Sequence, residues 1–458
     1  MPQLGQTLSF ASGLYRQRIN TLWAGYALDD PMALLQLRPG RDNPYRIYER
    51  LRRDGTVTRT RLGNWVTTSH PVCDQVLRDR RFGVRPAGNP IGETPSDDLD
   101  LSFLDLNPPD HTRLRRLAQP AFSPKQMAGY RPRIEATVSQ LLDRAAAAGS
   151  FDLVSALAAP LPIAVITNLL GIPDPDAENF ARYGGVIGGA LDGVQSLSHA
   201  ARLQKADAEL SALFTDLFAL RRREPADDIV SRLVAAEGDQ VQPAEMVPMC
   251  VLLLVAGFET TVNLIGNAVN ALLDHPDQWD ALRADPATMA PKAVEETLRF
   301  DPPVQRTGRF ALQSLELAGK PVREGEFVVT LIGAANRDPQ VYADPDRFDI
   351  TRKHTPPTTS PSPAASTTAS ASHSPNSKPP SLCRHSRNAC QRCGAPARPA
   401  DATRAPSAGP STSRFASASP HTTRRPPSDD EPLADWRVCV RIGRFCSSWR
   451  PTSDSSNW

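Results

Sequence analysis

The helical periodicity that runs through most of this chain stops at Arg352. From about Asn43 to Ala287, apolar residues recur at roughly helical spacing in "PYRIYERLRR", "MAGYRPRIEATVSQLLDRAAAA", "HAARLQKADAELSALFTDLFALRRR" and "AEMVPMCVLLLVAGFETTVNLIGNAVNALLDH". After Arg352 the period vanishes: "HTPPTTSPSPAASTTASASHSP" begins at His354, and Ser, Thr, Pro, Ala and Arg dominate to about Asp430. A segment of that composition buries too little apolar surface to offset its chain entropy and is expected to stay disordered. Any core must therefore come from the residues before it.

Short pieces with β-branched residues and turn glycines, "TVTRTRLGNWVTTS" and "LELAGKPVREGEFVVTLI", read as strands, so the expected fold is mainly α with small β-sheets. The chain divides into a lead-in over 1–42, a domain over 43–352 and a low-complexity tail over 353–458. Net charge is +2, from 52 basic and 50 acidic residues, which gives no global field for nucleic acid. The first twenty residues lack the basic start and apolar run of a secretory signal, and nowhere do ~20 apolar residues follow one another. The expectation is a cytoplasmic protein with no membrane and no nucleic-acid partner. Of seven cysteines only Cys73 and Cys250 precede the tail, which argues against a disulfide framework.

Four stretches carry chemistry. In "LLLVAGFETT", Gly257 costs a helix about 1 kcal/mol against alanine, Thr260 can bond back one turn, and Glu259 adds a desolvation cost. Either the helix opens there beside a carboxylate and a hydroxyl, or it keeps a packing glycine and a salt-bridged glutamate. In "EETLRF", Glu296 and Arg299 share a helix face and can pair, as many surface residues do. In "NPPDHTRLRRLAQPAFSP", His111 and Arg115 lie one turn apart on a helix started by Pro109 and Asp110. They either hold an anion or form a solvated basic face. In "VQRTGRFAL", Arg309 sits in a candidate strand, facing an anion or solvent.

The order "DHTRLR", "AGFETT", "EETLRFDPPVQ", "ANRDPQVYADPDRFDITR" closely resembles soluble bacterial cytochrome P450 enzymes from about Asn43 to Arg352, and "LLGIPDPDAENFARY" and "QVLRDRRFGV" fit the same family. The resemblance implies a P450 fold, mainly α around a haem b, with a long central helix crossing the distal face. By that resemblance Ala256 and Gly257 leave room for dioxygen, and Glu259 and Thr260 relay protons. His111, Arg115 and Arg309 bind the haem propionates. Glu296 and Arg299 form the structural pair beneath the haem, with Arg352 as third member. A ferredoxin and its reductase are the implied electron donors, and the substrate is a small apolar molecule.

The family's axial cysteine sits in a loop of pattern F-x-x-G-x-H-x-C-x-G shortly after the "PDRFDITR" segment, and its thiolate favours O–O cleavage. No such loop is written here, so the fold is incomplete at the C-terminus. Cys383, Cys390 and Cys393 lie in "SLCRHSRNACQRCGAP", without the Phe, Gly and His at the required offsets. The genetic code offers an explanation. If the frame slips near Pro357, each original codon joins the last base of one present codon to the first two of the next. Ser codons then give Phe, Leu, Ile or Val; Thr codons give His, Tyr, Asn or Asp; Ala codons give Gly, Cys, Arg or Ser. "TTSPSPAASTTASAS" from Thr358 permits "HLAFSGGIHYCLGV", which contains the missing loop.

On that reading the chain derives from a haem-thiolate monooxygenase and, as written, is inactive, with poor haem retention and poor solubility. Two other readings stand beside it. One is a non-enzymatic protein with a genuine Pro/Arg/Ser-rich interaction tail, in which "CRHSRNACQRC" would have to make a zinc site from a single CxxC. The other is a working enzyme with Cys383 as a substitute ligand, in a loop lacking the glycines that let backbone approach the sulfur.

Overall fold

The computed structural model describes residues 2–88, 100–173, 175–191, 193–194 and 196–353. The expected tail and its Cys383, Cys390 and Cys393 lie outside the described residues. Within them the fold is mainly helical with small β-sheets, as the sequence predicts. Five short strands make one mixed sheet in the order β1 (Val57–Arg59), β2 (Trp65–Thr67), β7 (Phe327–Thr330), β4 (Thr307–Ala311), β3 (Phe82–Gly83). β5 (Leu315–Leu317) and β6 (Lys320–Val322) form a separate hairpin. β2 runs parallel to β7, with Trp65 opposite Val328, so the sheet ties the first part of the domain to its last. Met32 and Leu35, from the expected lead-in, pack with Tyr48, Leu51, Val66 and Leu331 beside it.

The organising element is the central helix Pro243–Asp274, 32 residues long. Gln242 and Glu245 close its start with a reciprocal capping box, and Pro243 occupies the first turn, where its missing N–H costs nothing. Its first half is strongly apolar. Met246, Met249, Cys250, Val251 and Leu252 are buried against the helices Pro160–Leu170, Ala177–Leu191 and Leu197–Arg223. Through "AGFETT" the helix is continuous, the second of the two readings the sequence left open. The hydroxyl of Thr260 donates to the Ala256 carbonyl at 2.8 Å and that of Thr261 to Gly257 at 3.0 Å, so the hydroxyls bond back along the helix rather than parting its ladder. Gly257 has a packing reason as well: a Cβ there would meet the Ile166 Cδ1 at 3.1 Å.

The last described segment is clamped by ions. Glu296 has no exposed surface; it accepts from Arg299 Nε and Nη2, both at 2.8 Å, from the Asp349 backbone N–H at 2.9 Å and from Arg352 Nε at 3.4 Å. Arg299 spends its other donors on the carbonyls of Asn336, Pro345 and Arg347. Arg352 adds bonds to the carbonyls of Ala343, Asp344 and Arg347. Helix Pro286–Phe300 thereby holds residues 336–352, a stretch with little regular structure of its own.

Removing one charge from this cluster strands the other. Glu296→Gln is expected to lower unfolding free energy by about 3–5 kcal/mol in urea titration. Neutralising the exposed Arg38–Asp42 pair through Asp42→Asn leaves the midpoint where it was.

Candidate functional site

Helix Asp110–Ala118 brings His111 and Arg115 onto one flank, one turn apart. The same helix is fixed to the start of the central helix by Arg113, whose guanidinium donates to the two Glu245 oxygens at 2.6 and 3.0 Å. Glu245 is thus both cap and ion partner, and Arg113 holds its carboxyl below the usual range. Phe103, in the short turn Ser102–Asp105 that packs on the central helix, meets the His111 ring edge to face at 6.3 Å.

Arg309 arrives from the other side. Its strand, β4, is locked in register by β7, with Arg309 opposite Val328. Gly308 lets the strand lie against Phe327, whose Cζ would be 2.2 Å from a Cβ at that position. Arg309 is half-buried and bonds only Thr307 Oγ1 at 3.2 Å and the Gly308 carbonyl at 2.8 Å. Among the described residues no carboxylate pairs with it, and burial alone pulls its guanidinium below the ordinary value. The His111 imidazole is lowered too, first by burial and then by the charges of Arg115 and Arg309. The structure therefore brings together all three residues that the sequence proposed for an anion. A buried guanidinium without a counter-charge is costly alone and becomes favourable once an anionic group bonds it.

Along the central helix, Ala256, Gly257, Glu259 and Thr260 are all half-buried. Glu259 accepts from Asn263 Nδ2 at 3.3 Å, and its carboxylate leans on helix Ala177–Leu191 at Gly188. A Cβ on Gly188 would stand 2.9 Å from the Glu259 Cδ, and one on Gly184 would enter the Phe258 ring at 2.1 Å. These two glycines were not among the sequence candidates. The signal was there in "RYGGVIGGAL", where small residues four apart let one helix approach another.

Of the other proposed residues, Glu296, Arg299 and Arg352 sit together in the buried clamp. Cys73 and Cys250 are buried thiols whose ionisation is pushed well up by desolvation. Neither presents a thiolate, and among the described residues no cluster of three His, Cys, Asp or Glu side chains could hold a metal ion.

The family model described as "Cytochrome P450" matches residues 196–358. The chain is 40% identical over 328 residues to cytochrome P450 107B1 of Saccharopolyspora erythraea, covering 67% of this chain and 78% of that protein. It is 37% identical over 324 residues to the biotin biosynthesis cytochrome P450 of Bacillus subtilis, covering 69% and 81%. Among solved structures, P450BioI in complex with a hexadec-9Z-enoic acid ligated acyl carrier protein superposes with a TM-score of 0.69 at 33% identity, over 77% of this chain and 92% of that one. Ligand-free CYP164A2 of Mycobacterium smegmatis gives 0.67 at 35% identity, over 78% and 92%.

Because the folded state holds His111 below its ordinary pKa, it binds fewer protons there than the unfolded chain does. Stability on this account falls as pH drops below about 6.5. Imidazole NMR should show His111 titrating below that value, and Arg309→Gln should move its midpoint up.

Proposed function

The chain belongs to the cytochrome P450 family, the haem-thiolate monooxygenases, and from that premise we propose that its gene, read in frame, encodes an enzyme that oxidises a small apolar molecule. We further propose that the chain as written has lost its axial cysteine through a frame slip near Pro357 and is inactive. The observation that carries this is a coincidence of position. The family likeness runs to residue 358, a few residues past the change of composition after Arg352, and from Pro361 the shifted codons permit "FSGGIHYCLG".

The residues present fit one half of a haem. His111, Arg115 and the buried Arg309 would hold its propionates, and an anion there answers the uncompensated guanidinium. The thiolate half is not met by Cys73 or Cys250. When bound, haem supplies the redox chemistry that activates dioxygen for insertion into a C–H bond.

The chain's own side chains then have separate tasks. Ala256 and Gly257 would border the space for dioxygen. Thr260 gives its hydroxyl proton to the Ala256 carbonyl, which leaves its oxygen lone pairs able to accept and orient a proton donor. Glu259, held by Asn263 and walled by Gly188, is the group that would take protons from solvent and pass them toward Thr260. The clamp of Glu296, Arg299 and Arg352 would set the approach to the missing loop. Electrons would come from a ferredoxin and its reductase.

Sequencing the coding DNA around codon 357 tests the slip. A base lost or gained there, whose repair writes the cysteine loop, is expected; an intact frame would contradict it. In the repaired protein, Thr260→Ala and Glu259→Gln should each lower product formation by about 10²-fold or more at unchanged haem content. Arg309→Gln should instead lower haem content.

A further inference from the structure

Helices Ala177–Leu191 and Leu197–Arg223 are joined by residues 192–196 and pack together. Ser196 caps the second helix by accepting from the His199 backbone N–H at 3.0 Å. The cap fixes His199 in the first turn, and its ring turns back onto the first helix. There Nε2 lies 3.0 Å from the Val186 carbonyl, and the ring sits over Gly189, where a Cβ would stand 3.6 Å from His199 Cε1. A carbonyl oxygen only accepts, so Nε2 carries the proton. His199 is 7% exposed, so water competes little for the bond. A second tie between these helices, Arg182 Nη2 to Glu209 Oε2 at 3.0 Å, has side chains 37% and 34% exposed and is open to screening.

The opposite side of the first helix meets the central helix. Val186 lies two residues from Gly184 and two from Gly188, which at 3.6 residues per turn is roughly the far side from both. Gly184 faces Phe258, and Gly188 faces Glu259, so closely that a Cβ would stand 2.9 Å from its Cδ. Helix Ala177–Leu191 is therefore held between His199 at its back and Glu259 at its front. The helix that carries His199 is itself fixed to the central helix, since Leu203 and Leu210 share a core with Leu254 and Val255. That core sets where His199 stands, and His199 sets where the wall of Gly188 stands. The wall and Asn263 Nδ2, at 3.3 Å, bound the Glu259 carboxylate on two sides.

We propose that His199 is a positioning residue for Glu259: its bond to Val186 holds the Gly184–Gly188 face against the central helix, and so holds the carboxylate where it can pass a proton toward Thr260. The proposal rests on the reading of Glu259 as the proton-passing group. A shift of a fraction of an ångström is enough to impair such a transfer. His111, Arg115 and Arg309 stand on other elements, so the hold on an anion is untouched.

Two variants separate the bond from the packing. His199→Leu keeps the volume and loses the donor, while His199→Gln offers an amide N–H at similar reach. In the full chain as written, hydrogen exchange at the amides of residues 184–191 should be about fivefold faster in His199→Leu and near the original in His199→Gln, with helix Pro286–Phe300 unchanged in both. In the frame-repaired protein, His199→Leu should lower kcat about tenfold at unchanged KM and haem content and raise the solvent deuterium isotope effect; His199→Gln should recover both. Adding His199→Leu to Glu259→Gln should lower kcat no further than Glu259→Gln does, because one residue acts through the other. Unchanged exchange or unchanged kcat in His199→Leu, additive losses in the double variant, or a loss that His199→Gln does not recover would overturn the proposal. An unchanged kcat in Glu259→Gln alone would instead overturn the proton-passing role of Glu259, and this proposal with it.

Discussion

A carboxylate with no exposed surface, Glu296, holds the end of the described fold together. Taking it and Arg299 out of water costs several kcal/mol per ion, which their attraction offsets because both Glu296 oxygens accept and all five Arg299 N–H groups donate. Arg299 suits the place for a reason lysine does not share: its planar fork reaches both Glu296 oxygens and three backbone carbonyls at once. Those carbonyls belong to residues 336–347, a stretch held by turns such as Tyr342 N–H to the Asp338 carbonyl and by no strand. The clamp therefore satisfies the carbonyls that those turns leave over.

The proposed anion site depends on a second ionic joint. Arg113 and Glu245 fasten the helix of His111 and Arg115 to the start of the central helix, and that helix packs on the glycine face of Ala177–Leu191. The sheet supplies Arg309 from the opposite side of the chain, more than 190 residues away in sequence. Two rigid elements thus carry the cations, which is what a pre-formed site for a bulky dianionic cofactor needs.

Much of this was legible in the sequence, where the deciding contacts are local. The spacing of Glu296 and Arg299 gave their shared face, and the 3.6-residue period gave the long helices. "VQRTGRFAL" read as a candidate strand, and Arg309 lies in one. What the sequence could not carry was distance. Whether Glu296 was a solvated surface acid or a buried one depends on carbonyls forty to fifty residues later. The two readings left open at "AGFETT" part on contacts that sequence does not carry: Thr260 and Thr261 bond back along the helix, and Gly257 answers to Ile166 on another helix. Gly184 and Gly188 passed unnoticed for the same reason, since their need for hydrogen in place of a side chain is created by Phe258 and Glu259.

The central claim is that an intact catalytic half has been separated from its iron ligand. The visible spectrum of the purified chain, reduced and exposed to carbon monoxide, tests it most directly, with mass spectrometry confirming the tail as written. The account predicts no haem, or haem without the Soret shift that a thiolate ligand gives, and recovery of that shift when the frame is repaired. A thiolate-type shift from the chain as written would contradict it and place a tail cysteine such as Cys383 at the iron.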